Sequence, residues 1–270
     1  MDPKLYLQRI NIHTPDPPSV EALRKLHYQH LLTVPFENLS FHCGKRITLD
    51  VATAYEKIVL RKRGGVCYES NGLLLRVLQD LGYNAVMLAA QVQSNIPGLF
   101  GPPSHMVLMV QLEGRRWLCD VGFVEGIIFP IPLKAEWEEK QDNRVFRLRV
   151  EEEEWYLESK RGKSWRSLYK FNLKVRMVED FKEMCEYHQT SPSSICFCKS
   201  ICSLLLPQGR LSFIGRKLII KKYTAGGGTL KTTRDLTDTE IPEVLKVMFG
   251  VVLSGKLVPK DEDPAPLIQD

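Results

Sequence analysis

The stretch Arg63-Gly64-Gly65-Val66-Cys67-Tyr68-Glu69-Ser70-Asn71-Gly72-Leu73-Leu74 decides how the rest of the chain is read. Leu73, Leu74, Val77, Leu78 and Leu81 recur at helical spacing, so a helix opens at about Cys67 and ends at Leu81-Gly82. Two glycines just before it permit a tight backbone path and predict a strained turn into the helix. A cysteine in a first turn lies against unpaired N–H groups and the positive end of the helix dipole. Both favour the thiolate, which is the reactive form. Cys67 therefore reads as a nucleophile, although the same position also suits a small buried residue that merely opens a core helix.

Upstream of that stretch, residues 1 to about 35 read as helical, with Ser19 as an N-cap before Val20, Leu23, Leu26 and Leu31. His27 and His30 lie three apart there, but no carboxylate or cysteine nearby completes a metal set, so a solvated or capped pair is expected. Pro35-Phe36-Glu37-Asn38-Leu39 is a turn-like break, and Thr48-Leu49-Asp50 leads into a second helix. Arg61, Lys62 and Arg63 close that helix, where positive charge is favoured.

Downstream, from about residue 84, the period changes from 3.6 to 2. Ala85 to Val92 is a strand, and Ser94 to Ser104 is too rich in Gly and Pro for regular structure. His105 to Leu112 and Arg115 to Gly122 form a hairpin around Glu113-Gly114. With a two-residue turn, Leu112 opposes Arg115 and Asp120 opposes Val107. His105 and Asp120 then share a face as diagonal neighbours; a longer loop would break that parity. Strands continue over Val145 to Val150 and Trp155 to Leu157, with Glu151 to Glu154 as a solvated turn. Residues 178 to 188 read as helix. Cys185, His188, Cys196, Cys198 and Cys202 lack zinc-site spacing and sit among apolar residues, so buried free thiols are expected and no metal. Arg216 to Tyr223 and Leu230 to Arg234 read as strands around Gly226-Gly227-Gly228, with lysines that guard an edge or meet phosphates. A last helix covers Asp238 to about Leu253.

A chain of 270 residues with 44% hydrophobic and 26% charged residues has room for two or three units around a sizeable core. A net charge of +5 is too small to indicate a nucleic-acid binder. No apolar run approaches the roughly 18 residues of a membrane span, and seven scattered cysteines fit no disulfide framework. A reduced, cytoplasmic protein without membrane partners, and a monomer, is the expectation.

In order, then, the chain offers a Cys at a helix start, a His at a strand start and an Asp near the end of the paired strand. Asp120 would fix the imidazole tautomer, His105 would hold the proton of Cys67, and the thiolate would attack a carbonyl. Acyl transfer is the chemistry implied. Hydrolysis or transamidation by the same triad, and a binding protein on the same fold, are the other classes these residues allow.

The chain resembles the arylamine N-acetyltransferases. The resemblance rests on Pro35-Phe36-Glu37-Asn38-Leu39, on Arg63-Gly64-Gly65 before Cys67 with Glu69 and Asn71 after it, on Ser104-His105 and on Asp120-Val121-Gly122-Phe123. Thr190-Ser191-Pro192, Cys202-Ser203-Leu204 and Leu257-Val258-Pro259-Lys260 extend it over nearly the whole chain. It implies an α+β fold with a helical bundle carrying Cys67 (1–83), an antiparallel β-barrel carrying His105 and Asp120 (84–188), and an α/β lid (189–270), as in cysteine-protease-like cores. It implies a ping-pong reaction from acetyl-CoA to an arylamine or hydrazine, with another acyl-CoA donor as the variant. Phe123, Glu125, Ile127 and Ser104 would line the acceptor pocket, Glu125 favouring a cationic acceptor; Gly101, Ser104 and Lys217 would meet CoA. Against the vertebrate enzymes, Gly101-Pro102-Pro103-Ser104 offers fewer donors, Leu211 replaces a tyrosine, Ala265 replaces a serine, and the segment from about Lys160 to Asn172 is shorter.

Overall fold

Short polar side chains start the N-terminal helices. Asp2 Oδ1 accepts the Lys4 N–H (2.8 Å) at the head of α1 (Pro3–Arg9), and Ser19 Oγ accepts the Ala22 N–H (3.1 Å) at the head of α2 (Val20–Thr33). Asp50 caps α3 (Val51–Tyr55) through the Thr53 N–H at 2.9 Å, and the helix widens into a π-helical turn over Glu56–Leu60. The fourth helix, α4 (Cys67–Asp80), buries Leu73, Leu74, Val77 and Leu78 against Tyr6, Leu23 and Ile58. The computed structural model describes residues 1–224 and 227–265.

Between β1 (Phe36–Glu37) and the lid lies an eight-stranded antiparallel sheet. Its strands are β2 (Asn84–Gln93), β3 (Phe100–Leu112), β4 (Arg115–Cys119), β5 (Ile131–Pro132), β6 (Trp137–Gln141), β7 (Arg144–Glu151), β8 (Glu154–Arg161) and β9 (Ser164–Phe171). The order β5-β4-β3-β2-β9-β8-β7-β6 curls into a nearly closed barrel filled by Leu88, Val107, Leu118, Phe146, Leu157, Tyr169 and Phe171. Glu113 and Gly114 both take left-handed backbone (φ 52 and 70), the two-residue turn that the hairpin required, and Leu112 does pair with Arg115. The segment from Phe100 to Ser104 is strand rather than loop. Gln91 pairs with Pro103 and Gln93 with Phe100 across register shifts, and β4 pairs with β3 only from Leu108 onward. The prolines thus sit where one strand edge needs no N–H.

After α5 (Lys182–Thr190) and α6 (Ile195–Cys198), a second sheet of order β1-β10-β11-β12-β13 forms the lid. It contains β10 (Ile201–Leu206), β11 (Gly209–Ile214), β12 (Lys217–Tyr223) and β13 (Thr229–Asp235), with α7 (Ile241–Phe249) packed on Leu211, Phe213 and Leu218. That last helix is shorter than its periodicity suggests because Gly250 ends it in left-handed backbone (φ 68). Of the glycine-rich turn, Gly226 lies outside the described residues. The N-terminal segment threads into the second sheet: Phe36 pairs with Ser203, and Asn38 donates to Cys196 O and Lys199 O while accepting the Ile201 N–H.

Candidate active site

The turn into α4 is tight for a different reason than strain at its glycines. Lys62 takes the left-handed conformation (φ 53), whereas Gly64 and Gly65 are glycines because the chain passes too close to its neighbours. A Cβ on Gly64 would lie 1.9 Å from Pro35 O, and one on Gly65 would lie 2.8 Å from Glu69 Cβ. Glu69 reaches back to the Val66 N–H (3.1 Å), fixing the helix start, and receives Lys57 Nζ at 2.8 and 2.9 Å. Arg63 is not a solvated helix-end charge. It is buried, with Nε 2.8 Å and Nη2 2.7 Å from Glu37 Oε1, beneath the Cys67 turn.

Cys67 is the first residue of α4, so the N–H groups of its first turn are the ones an α-helix leaves unpaired. The hairpin brings His105 to it. His105 Nε2–H donates to Asp120 Oδ2 at 2.7 Å, which leaves Nδ1 for the hydrogen bond with the Cys67 thiol. Cys67, His105 and Asp120 are 8%, 4% and 0% exposed, so the constellation is closed to bulk water. Burial opposes charge on His105, but the Asp120 carboxylate and the hydrogen bonds to Asp120 and Cys67 outweigh it and raise the imidazole to about 10. Burial likewise works against the Asp120 carboxylate. The His105 charge, with hydrogen bonds from His105, Asn71 and Gly122, nevertheless holds it below the usual carboxylate range.

Three residues set this geometry without taking part in it. Asn71 donates to Asp120 Oδ1 (2.9 Å) and Met106 O (2.7 Å) and accepts the Val121 N–H (2.9 Å), tying α4 to both hairpin strands. Gly122 donates to Asp120 Oδ1 at 2.9 Å and packs so closely that an added Cβ would be 2.5 Å from Cys67 Cα. His27 is not solvated but hydrogen-bonded on both ring nitrogens. It is 1% exposed, its Nδ1–H donates to Ile128 O (2.8 Å), and its Nε2 accepts the Asp120 N–H (3.1 Å). Burial lowers its pKa to about 4, so it acts as a neutral acceptor. The signal for it was its place on the buried stripe of α2 beside Leu23 and Leu26. The His105 ring lies 5.3 Å from both the Phe123 and the Tyr169 rings, tilted against each, so it packs in an aromatic surround.

The N-acetyltransferase family model matches residues 19–258. The pineal gland arylamine N-acetyltransferase isozyme NAT-3 of Gallus gallus is 35% identical over 283 residues, spanning 96% of this chain and 97% of the relative. Arylamine N-acetyltransferase 1 of Homo sapiens is 33% identical, spanning 97% of this chain and 98% of the relative. The chain belongs to the arylamine N-acetyltransferase family. The Salmonella typhimurium arylamine N-acetyltransferase structure superposes with a TM-score of 0.86 at 29% identity, covering 92% of this chain and 90% of that one. The Mycobacterium marinum enzyme in complex with CoA gives 0.83 at 30% identity, covering 92% of each.

The residues expected to meet ligands are spread over several elements. Phe123 faces His105, and Ile127 is buried in the barrel core. Glu125 is already neutralised: Arg144 Nη1 lies 3.1 Å from Oε2 and Lys221 Nζ 2.9 Å from Oε1. Burial works against the Glu125 carboxylate, but Arg144 and Lys221 keep it below the usual range. Ser104 is buried on β3, its carbonyl accepting the Tyr68 hydroxyl at 2.6 Å, while Gly101 O accepts from Gln91 Nε2 at 3.0 Å. Lys217 is on β12 with Asp261 as its partner at 3.4 Å. Leu211 is buried against α7, and the Ala265 N–H donates to Pro192 O. Burial pushes the Cys185 thiol up to about 12, as for an inert buried cysteine, and among the described residues no three His, Cys, Asp or Glu side chains converge as for a metal.

Proposed function

We propose that the chain is an acetyl-CoA-dependent arylamine N-acetyltransferase in which Cys67 carries the acetyl group between two half-reactions, with His105 as proton carrier and Asp120 as its orienting anion. The observation that carries this reading is the buried 2.7 Å His105–Asp120 contact on the ring that also bonds Cys67. With the proton on His105, the Cys67 sulfur is a thiolate that attacks the acetyl thioester. Negative charge gathers on the former carbonyl oxygen, where the unpaired N–H groups of the first turn of α4 are the available donors. The C–S bond to CoA breaks and the departing thiolate takes the proton from His105. An arylamine nitrogen then attacks acetyl-Cys67, passes a proton to His105, and the N-acetyl product leaves with the Cys67 thiolate restored.

Phe123, half-buried, offers a flat apolar face beside the reacting ring, which suits an aromatic amine. All seven cysteines are free, as in a reducing cytoplasm. No helix among the described residues is long and apolar enough to cross a membrane. Initial rates with acetyl-CoA and an arylamine both varied test the scheme. Parallel double-reciprocal lines, abolished by Cys67→Ala, are expected; intersecting lines would require both substrates on the enzyme at once and refute it.

A further inference from the structure

One face of the lid sheet carries a row of cations. Arg210 of β11 directly opposes Lys221 of β12, which directly opposes Lys231 of β13. Opposed residues project from the same side of a sheet, and like charges so placed repel. This side faces the barrel, because Lys221 Nζ bonds Glu125 Oε1 at 2.9 Å; the other side is the apolar one covered by α7. Arg210 is 5% exposed, its Nε has no partner, its Nη1 reaches a hydroxyl, Ser203 Oγ at 3.4 Å, and the Tyr223 hydroxyl takes a further hydrogen bond from the guanidinium, with Glu125 as the carboxylate it feels. A fourth cation, Arg144, arrives from the barrel. Against these four stand Glu125, both of whose oxygens are taken, and Asp142 near Arg144; Lys231 has no acidic partner among the described residues. Glu125 is two residues from Phe123, whose ring touches His105, so the cluster borders the catalytic centre.

A buried guanidinium with an unused donor, in a group with surplus positive charge, is short of an anion. We propose that Arg210, Lys221, Lys231 and Arg144 form an oxyanion site on the lid, binding either a phosphate of acetyl-CoA or the carboxylate of an anionic acceptor. The proposal rests on the acetyltransferase reading of the Cys67 site. It reverses the expectation for Glu125, which is consumed by its own cations instead of attracting a cationic amine.

Steady-state rates of the full chain and of Arg210→Met, Lys221→Met and Lys231→Met, each checked by thermal melting, test it. Donors are acetyl-CoA and the phosphate-free para-nitrophenyl acetate; acceptors are para-aminobenzoate and uncharged para-toluidine. The KM of acetyl-CoA or of para-aminobenzoate is expected to rise about tenfold or more, the loss of one charge-assisted bond, with the uncharged pair little affected. A rise in the first identifies a phosphate, in the second a carboxylate. Unchanged KM values for both anions, or equal losses with the uncharged pair, overturn the site. If Arg210→Met fails to fold, the exposed Lys231 and half-buried Lys221 positions decide. Calorimetric titration of CoA needs no turnover, so a parent that binds CoA through this row yet acetylates no amine would count against the acetyltransferase reading alone.

Discussion

Replacing Gly122 by alanine tests how the two halves of the site are held together. The added Cβ would lie 2.5 Å from Cys67 Cα, 2.8 Å from Cys67 Cβ and 2.8 Å from Asn71 Nδ2, against an ordinary contact of about 3.5–4 Å. All three atoms belong to residues of α4, and Cys67 Cα is backbone, so a side chain cannot simply swing aside; the hairpin end and the helix must separate by roughly 1 Å. Overpacking of this kind costs about 1–3 kcal/mol, and at roughly 2–4 °C per kcal/mol in a chain of this size the melting temperature should fall by several degrees. Catalysis should suffer more, because a displacement of about 1 Å between reacting groups costs on the order of 100-fold. The assay is the single-turnover rate of Cys67 acetylation beside a thermal melt. A Gly122→Ala protein that melts as the parent does and acetylates within twofold of its rate would refute the claim that this contact sets the Cys67–His105 geometry.

Because the fold raises His105 from 6.5 to about 10, the protonated ring is the favoured form, and its contribution to stability is full below about 6.5 and lost as the pH rises through about 10. The acetylation rate should fall on that same upper limb, since the departing thiolate takes its proton from His105, and Asp120→Asn should move the limb downward; a limb left near 6.5 in the parent would contradict the assignment. His27→Leu leaves the Asp120 N–H and the Ile128 carbonyl without their partners in the interior, at a cost of about 1–3 kcal/mol each, so both the melting temperature and kcat should drop while KM for acetyl-CoA holds. Arg63→Met strands the buried Glu37 carboxylate with Lys57 at 3.8 Å as its remaining cation. Breaking such a pair costs about 3–5 kcal/mol, so an unchanged melt would show that Arg63 is not structural.

The parts of this site that sequence made legible are those governed by local periodicity. The helical spacing after Cys67 located the start of α4, and the parity of a two-residue turn put His105 and Asp120 on one face, as the Leu112–Arg115 pairing and the 2.7 Å contact bear out. Hidden were the contacts that depend on an element from elsewhere. His27 lies 93 residues before the Asp120 N–H it accepts, and Arg63 lies 26 residues from Glu37, so no window of sequence contains both partners. Composition misled at Phe100 to Ser104, where prolines signalled a loop but an unpaired strand edge accommodates them. The pairing of Glu125 was likewise hidden, because its neutralising cations come from β7 and β12. Gly122 read as part of a motif, and only the packing shows that it is a glycine because Cys67 Cα occupies the space.

Peptide mass spectrometry of the purified protein mixed with acetyl-CoA and no amine tests the central claim most directly. The account predicts one acetyl group, on Cys67, that disappears when an arylamine is added and does not form in His105→Gln. No adduct on Cys67 while amine is nonetheless acetylated, or an adduct that an amine cannot discharge, would contradict it.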